Sequence, residues 1–254
     1  MSTLPAYTSD QLAGILALLP GVDAVELKLT VSDQDRPGVI GALGIDPLDA
    51  QVRQVAFIDT PDLRLSAAGL VVRARRTQRK SGDATVKLRP MLPEDVPEGL
   101  RELPGFKVEV DASPAGYVCS CSLTAEVSDR KVKKLYDGGR SVADVLAEPQ
   151  LALLTARLPE DVTVGDLRVL GPVHLLKCKF QPGGLPRPMV AELWFLPDGS
   201  RLLELSTKAA PAEAFQAAAE TKIFLAGHGV DLAAPQEAKT RTALAALTAA
   251  LDKE

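Results

Sequence analysis

Cysteine, histidine and aromatic residues are all scarce in this chain of 254 residues, and each scarcity excludes something. Three cysteines, Cys119, Cys121 and Cys178, are too few and too scattered for a disulfide framework. Cys119 and Cys121 form a lone C-x-C without a second Cys/His pair nearby, so a structural zinc site is not expected. Reduced, structural thiols in a cytoplasmic protein are the expectation. The two histidines, His174 and His228, are far apart in sequence. His174 is expected to face outward and His228 to cap a helix C-terminus. No apolar run approaches the roughly 18 residues of a membrane span, and the N-terminal MSTLPAYTSDQ shows no secretory pattern. The net charge of −4 and pI near 5.4 argue against a nucleic acid or an anionic membrane held by bulk charge. Any anion site must be local.

What remains is an ordinary globular composition, with 46% hydrophobic and 24% charged residues and no repeat or linker. Residues 1–254 read as a single α+β domain. A short helix is predicted over Asp10–Leu19, capped by Ser9 or Thr8 and ended by Pro20-Gly21. Strands are predicted for AVELKLT, Val52–Asp59, Gly69–Arg76, Ala84–Arg89, Lys107–Asp111, Val173–Phe180, Met189–Phe195 and Arg201–Thr207. A helical insertion is expected at about 113–165, from the periodicity of SDRKVKKLYDGG and SVADVLAEPQLALLTARL. C-terminal helices are expected at about 211–251.

The strands carry an unusual second face. Alternation places Glu26 with Lys28, Arg73 with Arg75, Lys87 with Arg89, and Lys107 with Glu109 and Asp111, each set on one side of its strand. Lys177 with Lys179, Glu192, and Glu204 with Ser206 and Lys208 extend the pattern. One alternative is the solvated outer face of an open sheet. The helices, however, need apolar surface to cover, and the Val, Leu and Ala faces of the same strands supply it. A helix-coated sheet closed on itself would then have a charged lumen, wide enough for one small ligand. Desolvated like charges repel, so such a bore needs a counter-ligand. A polyphosphate suits the arginine forks and lysine ammonium groups, and carboxylates could hold Mg2+ or Mn2+ against it.

FIDTPDLRLSAAGLVVRARR (Phe57–Arg76) resembles the Y-x-D-T-P-x-x-x-L-x-x-x-G-x-x-L-R-x-R segment of the CYTH superfamily, the triphosphate tunnel metalloenzymes. VELKL is similar to the family's opening E-x-E-x-K strand, ATVKLRP to its L-K-x-P strand, KVEVD to its R-x-E-x-E strand, LLKCKF to its K-x-R strand and RLLELSTK to its closing E-x-E strand. The resemblance runs in order from about Val25 to Leu247. It implies a closed eight-stranded antiparallel β-barrel, a tunnel coated by helices, that binds a triphosphate.

The residues implied as phosphate ligands are Lys28, Arg73, Arg75, Lys87, Arg89, Lys177 and Lys179, and Lys208 is a further inward cation. The implied metal-binding carboxylates are Glu26, Glu109, Asp111, Glu192 and Glu204, with Glu26 and Glu204 as the catalytic pair holding Mg2+ or Mn2+. The implied activity is metal-dependent hydrolysis of an inorganic, nucleoside or thiamine triphosphate. The alternatives are polyphosphate or nucleotide binding with little turnover, and adenylyl cyclisation of the class IV type. Two family acids are absent: Ala24 and Ser206 stand in their places. Trp194 shares the inward parity of Glu192. Lys222, Lys239 and Arg241 on the C-terminal helices could reach a tunnel entrance, and solvated helix faces explain them equally well, so they stay outside the candidate site.

Overall fold

Thr8 starts the first helix, α1 (Ser9–Leu18), by a reciprocal cap. Its hydroxyl accepts from the Gln11 backbone N–H at 3.2 Å, and the Gln11 side chain accepts from the Thr8 N–H at 2.9 Å. The structure, a computed structural model, describes residues 7–236 and 238–251. Nine strands follow: β1 (Ala24–Val31), β2 (Gln51–Asp59), β3 (Leu70–Thr77), β4 (Gly82–Leu88), β5 (Phe106–Ser113), β6 (Gly116–Val127), β7 (Arg168–Phe180), β8 (Met189–Phe195) and β9 (Arg201–Ala209). They close into a barrel in the order β1-β5-β6-β4-β3-β2-β7-β8-β9.

The barrel corrects the expectation of eight antiparallel strands in two respects: there are nine strands, and their orientations are mixed. The added strand is β6, which occupies the start of the stretch predicted to be helical. Its outward residues Cys119, Cys121 and Leu123 are buried, and Ser120, Ser122 and Thr124 alternate with them. With no lysine or arginine on its inner face, it escaped the pattern that marked the other strands. An odd number of strands cannot alternate direction all the way round a closed ring. One parallel pair is therefore required, and it is β1 with β5, joined over Ala24–Leu27 and Glu109–Ala112.

The helices are α2 (Arg36–Ala42), α3 (Arg64–Ala67), α4 (Asp129–Tyr136), α5 (Glu148–Thr155), α6 (Ala214–Gly227) and α7 (Lys239–Leu251). Two apolar clusters lie outside the barrel. One joins β3, β4, β5 and β6 to α4 and α5 through Val72, Val86, Val110, Val132 and Leu154. The other joins β1, β8 and β9 to α2 and α6 through Leu29, Val39, Met189, Leu205 and Leu225. Polar fasteners dock the helices: Arg76 reaches Asp129 at 2.8 Å, Tyr136 Oη donates to the Ala74 carbonyl at 2.8 Å, and fully buried Gln150 donates to the carbonyls of Ala84 and Leu123. The apolar strand faces are thereby spent on the helices, which leaves the opposite faces to line the lumen.

A third cluster seals one end. Val55, Val173, Leu175, Trp194 and Leu202 pack against Ala243, Leu244 and Leu247 of α7. Leu175, Trp194 and Leu202 share one cross-strand row, two residues beyond Lys177, Glu192 and Glu204 on the same inward face. The bore is therefore apolar under α7 and charged beyond it. His174 is exposed and outward, its Nε2 2.9 Å from Gln54 Nε2, and His228 Nδ1 lies 2.7 Å from the Phe224 carbonyl at the end of α6.

Candidate functional site

The motif following β2 is a scaffold for the site. Asp59 is buried, and its carboxylate accepts from the backbone N–H groups of Thr60, Leu65 and Ser66 at 2.8–3.0 Å, capping the first turn of α3. Burial pushes its carboxyl above the usual range, against the pull of those three donors. Gly69 then turns the chain into β3 at φ 76°, with its carbonyl accepting from the Arg89 N–H at 2.7 Å. A Cβ here would lie 2.5 Å from the Arg89 carbonyl, so glycine is required. The turn thereby sets β3, with Arg73 and Arg75, against β4, with Lys87, and the Arg89 that follows it.

Asp111 anchors the charged bore. Its carboxylate lies 2.9 Å from Lys28, 3.2 Å from Lys87 and 3.5 Å from Arg89, and its side chain is only 4% exposed. Burial alone would raise its pKa; the three cations overcome this and hold it well below the usual carboxylate range. Glu26 pairs with Lys28 at 3.3 Å and lies 3.9 Å from Lys208. Lys208 in turn reaches Glu109 at 2.6 Å and is half exposed at the mouth opposite α7. Burial opposes the charge on Glu26 as well, yet Lys28 and Lys208 leave it below its ordinary value.

A second acid pair sits nearer α7. Glu192 and Glu204 are directly opposite on β8 and β9. The Lys239 ammonium lies between them, 2.6 Å from Glu192 Oε2 and 2.6 Å from Glu204 Oε1. Lys177 holds the other Glu192 oxygen at 3.4 Å. Burial would raise the Glu192 pKa, but Lys239 and Lys177 bring it well below the usual range.

The three arginines deep in the bore differ sharply from one another. Arg75 is satisfied by Asp83 at 2.8 Å. Arg73 and Arg53 have no carboxylate within ion-pair distance among the described residues; Arg53 spends its hydrogen bonds on Gln51, and Arg73 Nε is buried without a partner. Burial lowers the pKa of both guanidiniums, and Arg75 lowers it further. They remain charged nonetheless, because arginine does not deprotonate in proteins. Leaving aside the exposed Lys107, Glu126 and Lys179 at the rims, the described lumen residues include nine cations (Lys28, Arg53, Arg73, Arg75, Lys87, Arg89, Lys177, Lys208, Lys239) against six acids (Glu26, Asp83, Glu109, Asp111, Glu192, Glu204), an excess of three positive charges in a chain of net charge −4.

Most of the candidate residues thus meet in one space. Lys179 shares the inward row of Val190 and Ser206, but it is exposed and makes no ion pair. Three lumen residues escaped the sequence reading. Arg53 and Asp83 obey the same two-residue alternation as Val55 and Lys87 and could have been found by it. Lys239 could not be found by strand alternation, because it arrives from a helix. Of its two open readings, tunnel entrance and solvated face, the structure decides for the lumen; the other two C-terminal cations considered, Lys222 and Arg241, are not among the lumen charges. Trp194 is packed within the apolar cluster under α7, with the Lys239 ammonium 5.6 Å from its ring centroid.

A divalent ion does not fit the donors present. Among the described residues no three acidic, histidine or cysteine side chains gather as a metal cluster. Glu26, Glu109, Asp111, Glu192 and Glu204 are each engaged by a lysine or arginine. Ala24 and Ser206 supply no carboxylate where the family pattern has one.

No family model matches the chain, and no curated protein matches it. Solved structures do. A Bacillus halodurans protein provisionally assigned as an adenylate cyclase superposes with a TM-score of 0.60 at 16% identity, covering 87% of this chain and 97% of its own. A Hippeastrum protein provisionally assigned as an adenylyl cyclase, in which triphosphatase activity dominates, gives 0.58 at 12% identity, covering 84% and 91%. The chain shares the fold of these proteins, in keeping with the motif resemblance to the CYTH superfamily.

Proposed function

We propose that the bore is a receptor for a triphosphate or longer linear polyphosphate group, free or as part of a nucleoside or thiamine triphosphate, held with little turnover. The observation that carries this reading is the pair of lumen guanidiniums, Arg53 and Arg73, that have no ionic partner among the described residues. A buried charge without a counter-ion is costly, and a polyanion removes that cost. Arg73 and Arg75 on one strand present planar forks to successive phosphates. Lys28, Lys87 and Arg89, gathered by Asp111, supply the next set of donors, and Lys208 stands at the entrance. The apolar plug under α7 excludes water from the closed end, which strengthens each of these contacts.

Low turnover follows from the state of the two acids first assigned to catalysis. Glu26 is tied to Lys28 and Glu204 to Lys239. An ion-paired carboxylate, such as Glu26 with its lowered pKa, is a poor proton acceptor. Hydrolysis is the second reading, and the triphosphatase activity of the Hippeastrum protein of the same fold favours it. Cyclisation draws only on the provisional assignment of the Bacillus protein.

Incubating the protein with tripolyphosphate, ATP and thiamine triphosphate, with and without Mg2+ or Mn2+, separates the three. Binding of tripolyphosphate without phosphate release is the expected result. Sustained phosphate release would establish the second reading, and cyclic AMP the third.

A further inference from the structure

Lys239 reaches the bore from the first residue of α7, a helix seated by Ala243, Leu244 and Leu247 in the apolar plug. The side chain is therefore delivered by a packed element rather than by a mobile tail. Its ammonium bridges the two carboxylates that face each other across β8 and β9, at 2.6 Å to each. We propose that this tethered ammonium replaces the divalent cation of the tunnel, so that the chain captures triphosphate groups without metal. The proposal rests on the polyphosphate reading above.

Two observations converge on this exchange. Mg2+ demands about six oxygen ligands, and the Lys239 ammonium already occupies the space between Glu192 and Glu204, the second of which belongs to the pair implied to hold the ion. Ala24 and Ser206 remove two further carboxylates from the set that the family pattern would offer a metal. A single positive charge in place of two suits an acid set that has shrunk, and it leaves the bore attractive to a polyanion. An ammonium has three donors; two go to the carboxylates, and the third is the one that a phosphate oxygen takes.

The test is calorimetric titration of inorganic tripolyphosphate into the full chain, once in EDTA and once with Mg2+, for the wild type and Lys239→Met. The wild-type affinity should agree within about threefold between the two buffers. Lys239→Met should lose about tenfold or more in EDTA, the worth of one charge-assisted contact, and recover part of it with Mg2+ as Glu192 and Glu204 are freed. Electron paramagnetic resonance of Mn2+ without phosphate gives a second readout: the wild type should take up Mn2+ more weakly than the variant.

Wild-type binding only in the presence of Mg2+, or Mn2+ uptake by the wild type as tight as by Lys239→Met, would overturn the exchange while leaving the polyphosphate site standing. Absence of tripolyphosphate binding in both buffers would overturn the site itself. If Lys239→Met does not fold, the two wild-type titrations still decide.

Discussion

Replacing Arg73 by Met should weaken polyphosphate binding and raise the melting temperature of the free protein. The Arg73 Nε is buried without a partner, and no carboxylate among the described residues lies within ion-pair reach, so in the unliganded state it is a liability. Relieving one unsatisfied buried polar group is worth about 1–3 kcal/mol. At about 2–4 °C per kcal/mol for a domain of this size, the gain is on the order of 2–12 °C. Methionine fills much of the volume of the arginine stem, so little cavity penalty offsets it. In the complex, a bidentate charge-assisted contact of about 3 kcal/mol is lost, which corresponds to roughly a hundredfold rise in Kd for tripolyphosphate. Differential scanning calorimetry of the free variant and titration calorimetry with tripolyphosphate read the two effects separately. An Arg73→Met protein that melts several degrees lower and binds with wild-type affinity would refute the reasoning, because Arg73 would then be a structural residue satisfied in a way the barrel does not provide.

Acid should destabilise the protein in a defined direction. Asp111 and Glu192 have lowered pKa values in the fold, so their contribution is fully present above the ordinary carboxylate range and is lost as pH falls from about 4 downward; melting temperature should drop through that range, against the smaller opposite contribution of Asp59 with its raised pKa. Gly69→Ala should cost about 1–2 kcal/mol or more, since the left-handed backbone and the 2.5 Å approach to the Arg89 carbonyl add, and chemical denaturation should show it as a lower midpoint at unchanged slope. All three thiols are buried, and burial pushes Cys119 up to about 11, so a disulfide-exchange reagent at pH 8 should leave the native protein unmodified and titrate all three after unfolding.

Much of the barrel was legible because long charged side chains at two-residue spacing are costly to explain on every strand of an open sheet. Alternation put Lys28, Arg73, Lys87, Asp111, Lys177 and Glu192 each on the polar face of its strand, the need of the helices for apolar surface turned that face inward, and the structure puts them there. β6 was not legible as part of the set, because its inward face carries no lysine or arginine and a strongly helical segment follows at once. The mixed orientation followed from that omission, since the ninth strand is what forces the parallel β1–β5 contact. Lys239 illustrates a different limit. Strand parity says nothing about a lysine at a helix start, and only the packing of α7 into the barrel end brings its ammonium to Glu192 and Glu204. Trp194 shares inward parity with Glu192 yet packs under that helix, so parity gives the face but not the depth.

A crystal structure of the protein soaked or grown with tripolyphosphate tests the central claim most directly. The account predicts a chain of phosphate density running along the bore, with oxygens within hydrogen-bond distance of Arg73 and Arg53. Phosphate found only on the outer surface, with those two guanidiniums still unpartnered in the lumen, would contradict it.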